Sequence, residues 1–370
     1  MKVTKLIKKI AAATLVLSMV GGIAACNGAT ATTTTTKAAE TTATTTAVTT
    51  AVTTAATTAA ATTASAWKPT QGVTIVVPYG AGGSTDLLAR AVEKIWSKYC
   101  DQPVTIEIKS GGGGVTGNLF VANSKPDGYT LAIGFGSGSE TVMPYVQPVE
   151  YKPFEQLKPI CRLSVFPVAI AVNADSKFKT IQEFIDYAKT TSTTAASSTA
   201  AGSVDFVMRG LAKITGIDLT PIPNDGTATA MTALLGNQND IGGGHPADMA
   251  AHLESGKIRV LAVATEERDA TLPDAPTLKE SGIDLVTWGS IKGIAGPAGI
   301  PDEVVAYYEQ LFAQICADED FIATCKSMYI SVMYLNSSDF MANLTVASES
   351  YAKLSDELGI KEAIAAEQGT

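Results

Sequence analysis

The sequence predicts an α/β protein made of two strand–helix blocks, with the chain returning to the first block at its end. Three observations predict it. Apolar runs at residues 73–77, 104–108 and 129–133 are each followed by a glycine-rich stretch, the pattern of a parallel sheet whose loops gather along one edge. A second series of short strands and helices spans residues 180–264. Apolar segments at 161–173 and 288–296 flank that series and are placed to cross between the blocks.

The first unit organises the rest. Val73-Thr74-Ile75-Val76-Val77 is a β-branched run that reads as a buried strand, and Pro78 stops its ladder. Gly80-Ala81-Gly82-Gly83 makes a turn whose backbone another molecule can approach closely. Ser84, Thr85 or Asp86 then caps a helix with apolar positions at Leu87, Leu88, Ala91, Val92 and Ile95. Such a strand, turn and helix aim free N–H groups and the positive dipole end at an anion. The loop is no dinucleotide fingerprint, since Thr85 stands where the last glycine belongs, and no Gly-Lys-Ser/Thr follows to make a P-loop.

Fold reasoning begins near Trp67. Lys2, Lys5, Lys8 and Lys9 precede a short apolar run and Ile23-Ala24-Ala25-Cys26, which reads as a secretory signal over residues 1–25. Residues 26–66 are almost wholly Thr and Ala and bury too little apolar surface to offset chain entropy. They are expected to form a disordered tether spanning about 30–40 Å. The chain carries 27 Lys and Arg against 36 Asp and Glu, a net charge of −9, with no basic block. That excludes an ordinary nucleic-acid binder. Cys100, Cys161, Cys316 and Cys325 form no C-x-x-C pair, so unpaired or buried thiols are expected; only Cys316 and Cys325 lie close in sequence.

Further along, residues 191–203 are a stretch of Ser, Thr, Ala and Gly. Gly242-Gly243-Gly244-His245 closes a short strand, Pro246 opens a helix, and the chain from Asp302 onward is largely helical. His245, Asp248 and His252 share one helical face, but the bland reading outweighs a metal: His245 starts the helix facing a cleft and His252 is a surface position. Trp288 reads as packing on the crossing strand. No Gly-x-Ser-x-Gly elbow, Cys–His pair or cluster of acids supports catalysis, so neither catalytic residues nor a cofactor is expected.

PYGAGGSTDLLAR, SGGGGVTGN, KPDGYTL, LESGKIRVLAVATEERDATLPDAPTLKESG and GPAGIP occur in that order. Together they resemble the tripartite tricarboxylate transporter receptors, the Bug family of extracytoplasmic solute receptors. Ile-Ala-Ala-Cys likewise resembles a bacterial lipobox, with Cys26 as the lipidated mature N-terminus. The family resemblance implies an α/β, two-lobe periplasmic-binding-protein-like (type II) fold with two crossing segments, lobe 1 from residues 67–170 and 288–370 and lobe 2 from 171–287. It implies an exported receptor that passes a small organic carboxylate (a di- or tricarboxylate or an amino acid) to permease subunits in the membrane. With the lipobox resemblance, a monomer lipid-anchored on the outer face of the cytoplasmic membrane is expected. In the family the carboxylate sits mainly on the loop that is 80–86 here. The expected ligand contacts are Tyr79, Gly82, Gly83, Ser84, Thr85 and Asp86, with Ser137, Ser197, Ser198, Thr199, Gly202, Asn224 and His245; Asp86 reads more readily as a helix cap.

Three stretches depart from the family pattern. Ser-Ala-Gly-x-Gly becomes Ser197 to Ser203 with different glycine spacing, Pro-Tyr-Lys-Gly becomes Pro223-Asn224-Asp225-Gly226, and Phe-Asp-Asn becomes Gly243-Gly244-His245. The first loop holds no Lys or Arg, so a carboxylate held by neutral donors is expected rather than a phosphate. A ligand-sensing partner of a membrane signalling protein would share these features, and an exported enzyme on the same scaffold would differ by forming a product.

Overall fold

The computed structural model describes residues 67–149 and 151–368. The leader, the tether and the Cys26 lipidation site expected above lie outside the described residues.

Lobe 1 opens with β1 (Val73–Val77), α1 (Ser84–Trp96), β2 (Val104–Ile108), α2 (Val115–Ala122) and β3 (Thr130–Phe135). β1 pairs in parallel with both β2 and β3, with Val73 opposite Val104 and Thr74 opposite Thr130. A strand covered on both faces needs a continuous apolar run, and Val73, Ile75, Val76 and Val77 are all buried. Leu88, Val92, Ile95 and Trp96 of α1 join Ile75 and Val77 in the core on one face. The start of α1 differs from expectation. Gly83 is its N-cap and makes no side-chain cap, while Ser84, Thr85 and Asp86 form its first turn. Asp86 reaches back to accept the Gly82 N–H at 2.8 Å, so the acid serves the helix entrance from its third position.

Short helices α3 (Gly138–Thr141), α4 (Met143–Val146) and α5 (Pro153–Gln156) lead into β4 (Leu157–Phe166). Pro167 and Val168 then cross to lobe 2. There the chain forms β5 (Ala169–Asn173), α6 (Ile181–Ala188), β6 (Thr193–Ser197), α7 (Ser203–Thr215), β7 (Leu219–Pro223), α8 (Thr227–Leu235), β8 (Ile241–Gly244), α9 (Pro246–Glu254) and β9 (Ile258–Val263). Among the described residues they build a five-stranded sheet in the order β7-β6-β8-β5-β9. β6 is parallel to β7 and β8, and β5 is antiparallel to β8 and β9. β6 lies within the stretch that reads in sequence only as small residues. Its Ala195 and Ala196 are fully buried, and larger neighbours such as Val204, Met208, Met231 and Leu234 supply the bulk on either face.

The return is β10 (Ser290–Pro297), α10 (Asp302–Ala317), α11 (Glu319–Ser327), β11 (Val332–Leu335), α12 (Ser337–Leu358) and α13 (Ile360–Gln368). β10 runs antiparallel between β3 and β4, giving the six-stranded order β11-β4-β10-β3-β1-β2. The two crossings lie side by side: Ala264 N–H donates to Val168 O and Thr287 N–H to Ala264 O, each at 2.9 Å. Trp288, expected to pack there, is instead 37% exposed. α13 bears on both lobes. Ile360 and Ile364 cluster with Val142 and Val146 and with Phe206, and Arg209 of α7 holds both carboxylate oxygens of Glu367 at 2.8 Å. Cys100, Cys161, Cys316 and Cys325 are all buried free thiols.

Candidate functional site

Between the two sheets lies a cavity of about 490 Å³. Lobe 1 lines it with the β1–α1 loop, the glycine loop at 110–114 and the start of α3. Lobe 2 contributes Ser198, Thr199, Ala200, Gly202 and Ser203, the 223–228 loop and the β8–α9 corner, and β10 adds Ser290 and Lys292. α1, α7 and α8 begin at this cavity with glycine N-caps that carry no side-chain cap. Helix starts of that kind present backbone N–H groups to whatever enters.

Of the ligand contacts expected from sequence, Tyr79, Gly83, Ser84, Thr85, Ser137, Ser198, Thr199, Gly202, Asn224 and His245 line the cavity. Gly82, Asp86 and Ser197 do not. Gly82 N–H is bonded to Asp86, and Asp86 is buried and also accepts from Arg90 Nε at 3.2 Å. Ser197 is fully buried, with its carbonyl accepting from the Asn224 backbone and side chain at 2.9 and 3.1 Å. The Asp86 carboxylate and the Ser197 carbonyl are both used in shaping the loops they belong to.

A cation that the loop sequence lacks comes from β10. Lys292 is 3% exposed, and its Nζ donates to Ser137 Oγ at 2.9 Å. It lies 4.9 Å from the Tyr79 ring centre and 5.1 Å from that of Phe166, close enough for a cation–π contribution. Burial lowers the Lys292 pKa to about 8, against the pull of Asp248 and Glu140. Glu140 is fully buried beneath the cleft and accepts from Asn118 Nδ2 at 2.6 Å, Ser139 Oγ at 2.7 Å, Gly136 N–H at 3.0 Å and the Tyr151 hydroxyl. Burial raises its pKa, and those donors and Lys292 oppose the rise. Ser137 spends its hydroxyl on Gly134 O, Ile291 O, Ser290 and Lys292. It therefore positions the lysine more than it offers a free group. Tyr79 Oη meets Ser139 Oγ at 3.2 Å, and burial raises the phenol's pKa.

In lobe 2, His245 Nδ1 stands 3.0 Å from Pro167 O. A carbonyl only accepts, so Nδ1 carries the proton and Nε2 is an acceptor in the neutral ring. Burial, then Lys292, drives the His245 pKa down to about 4. The ring thus suits a hydroxyl or ammonium donor rather than a carboxylate. Among the described residues no group of three or more His, Cys, Asp or Glu is disposed to hold a metal.

Sequence reasoning missed Lys292, Ser203 and the placement of Asp248. Lys292 lies in a strand read only as a crossing. Ser203 had a legible signal: Gly83-Ser84-Thr85-Asp86 with Arg90 repeats as Gly202-Ser203-Val204-Asp205 with Arg209. The repeat is structural as well. In α7, Asp205 accepts the Ala201 N–H at 3.1 Å and Arg209 Nε at 2.7 Å, as Asp86 does for Gly82 and Arg90 in α1. Asp248 crosses the cleft: Ser84 N–H and Oγ donate to its two oxygens at 2.5 and 3.0 Å.

Two α/β lobes joined by paired crossings, with helix starts facing a polar cavity between them, define a solute-binding receptor. The model of the tripartite tricarboxylate transporter family receptors matches residues 88–360, and the chain belongs to that family. A UPF0065 protein of Cupriavidus necator is 31% identical over 302 residues, covering 80% of this chain and 90% of that one. The structure of the periplasmic binding protein BugD is 28% identical with a TM-score of 0.71, over 79% of this chain and 99% of that one. MatC of Rhodopseudomonas palustris, solved with bound malate, is 25% identical with a TM-score of 0.70, over 78% and 99%.

Proposed function

We propose that this receptor captures a small organic carboxylate in the interlobe cavity and delivers it to a tripartite tricarboxylate-type permease. The convergence on the cavity of three helix starts with glycine N-caps, together with the buried ammonium of Lys292, carries the reading. Charge-assisted hydrogen bonds from such donors contribute roughly 1.5–3 kcal/mol each in a water-poor cleft. Lys292 replaces the expectation of neutral donors alone. The cavity volume suits a ligand of few heavy atoms, and bound malate in MatC supports a hydroxy- or dicarboxylate. His245 Nε2, an acceptor, matches a ligand hydroxyl or ammonium.

Calorimetry against dicarboxylates, tricarboxylates, amino acids, aromatic acids and phosphates tests this. A preference for malate-like acids or amino acids is expected, and a preference for phosphate or a neutral sugar would sink the reading. Among the described residues no helix is long and apolar enough to cross a membrane. Anchoring is assigned to a diacylglycerol-modified Cys26, since one acyl chain holds only marginally. Cys26→Ser should release the protein into the medium, and membrane retention of that variant would count against the anchor.

A further inference from the structure

The start of α1 already holds a carboxylate, and it is the protein's own. Asp248, in the first turn of α9, places both oxygens on Ser84 across 164 residues of chain. One backbone N–H and one hydroxyl at a helix start gripping two carboxylate oxygens is the arrangement a bound acid would use. Ser84 and Asp248 both line the cavity, so a ligand carboxylate on Ser84 and Asp248 on Ser84 are mutually exclusive.

Simple capping does not require this contact. α7 begins with the same Gly-Ser-x-Asp and downstream Arg, its Asp205 serves its own turn as Asp86 does, and among the described residues Ser203 hydrogen-bonds no acid. The shared motif is complete in both helices without a third acid. What Asp248 adds is a tie between lobes, because α9 belongs to lobe 2 and α1 to lobe 1. Half-buried, it can be rehydrated when released.

We infer that Asp248 is a resident stand-in for the ligand. Its carboxylate latches lobe 2 onto the α1 start, and an incoming carboxylate must displace it to reach Ser84. Asp248 is then a built-in competitor that weakens apparent affinity and holds the unliganded cleft shut. The latch stands on geometry alone; only the competition rests on the carboxylate reading.

The two parts are tested separately with Asp248→Ala and Asp248→Asn. Small-angle scattering without added ligand should show a larger radius of gyration for Asp248→Ala than for wild type. Amide exchange at Ser84 should be faster in that variant. Equal radii and equal exchange overturn the latch, whatever any ligand does. Calorimetry with malate as the probe should show Asp248→Asn, which keeps the shape but loses the charge, binding at least tenfold more tightly than wild type. Weaker or equal binding overturns the competitor role. If wild type and variant both ignore malate, the competition is overturned for that probe and the scattering decides the latch. Thermal melts of both variants establish that they fold.

Discussion

The ammonium of Lys292 stands 2.9 Å from the Ser137 hydroxyl, joining two residues 155 positions apart in the chain. Ser137 is in turn fixed by Gly134 O and Ile291 O, so one serine locks the cation of β10 to the end of β3. The cleft's buried positive charge is therefore held in place before any ligand arrives, and little further ordering is needed on binding.

That placement makes binding pH-dependent with a defined sign. Lys292 has its pKa lowered from 10.5 to about 8, so its charge is present at neutral pH and fades as pH rises through 8. Affinity for malate should fall between pH 7 and 9 in wild type. Lys292→Gln should bind about tenfold more weakly at pH 7, or about 1.4 kcal/mol, and show a flatter profile. Titrations that give the same slope for both proteins would take Lys292 out of the site.

His245 makes a stability prediction that needs no ligand. Its pKa falls from 6.5 to about 4 on folding, so between those values the unfolded chain binds a proton that the folded one refuses. The contribution to stability is complete above 6.5 and is lost as pH falls toward 4. It amounts to on the order of 2–3 kcal/mol. His245→Asn keeps a donor for Pro167 O but does not titrate. Urea denaturation of wild type should therefore weaken more between pH 7 and 4.5 than that of the variant. Parallel losses would show that His245 is not a buried neutral ring.

Much of lobe 1 was legible because its code is local. Val73 to Val77 is apolar at nearly every position, Pro78 and the glycines end it, and α1 carries its stripe at helical spacing. β6 was not legible, since Thr193 to Ser197 holds no large side chain and is a strand only because neighbouring helices bring the bulk. β11 failed for a different reason: Val332 to Leu335 has large side chains but is only four partly exposed residues on a sheet edge, too short for strand alternation to stand out from the helices around it.

The site divided along the same line. The glycine loop was legible as cavity lining because backbone geometry advertises itself in glycine. Lys292 and Asp248 were missed as cleft charges because a strand lysine and a helix aspartate look like any others until the fold sets them opposite Ser137 and Ser84. Asp86 serves its helix entrance, the reading preferred from sequence, and the Ser197 hydroxyl turns to Asp205 of α7 and away from the cavity lining.

The crossings give the last prediction. Gly289 sits at φ +65°, just before β10, and a Cβ there would lie 2.4 Å from Phe166 O and 3.3 Å from Pro167 Cα. The contact is with the other crossing segment, whose Pro167 carbonyl holds His245. Gly289 O also accepts from the Tyr351 hydroxyl at 3.0 Å, pinning the segment from the far side. An alanine would bring two separate costs. The left-handed backbone conformation alone is unfavourable by roughly 1–2 kcal/mol for a residue with a Cβ. Wedging apart two packed segments adds roughly 1–3 kcal/mol. Gly282 offers the control, since its φ of +81° is equally left-handed but a Cβ there meets nothing within 4 Å. Urea denaturation should show Gly289→Ala losing at least twice the stability that Gly282→Ala loses. It should also change ligand affinity, because hinge residues that absorb backbone rotation set how the lobes meet. Equal losses at the two glycines would mean that the crossings tolerate separation and that this close approach does not fix the geometry of the cleft.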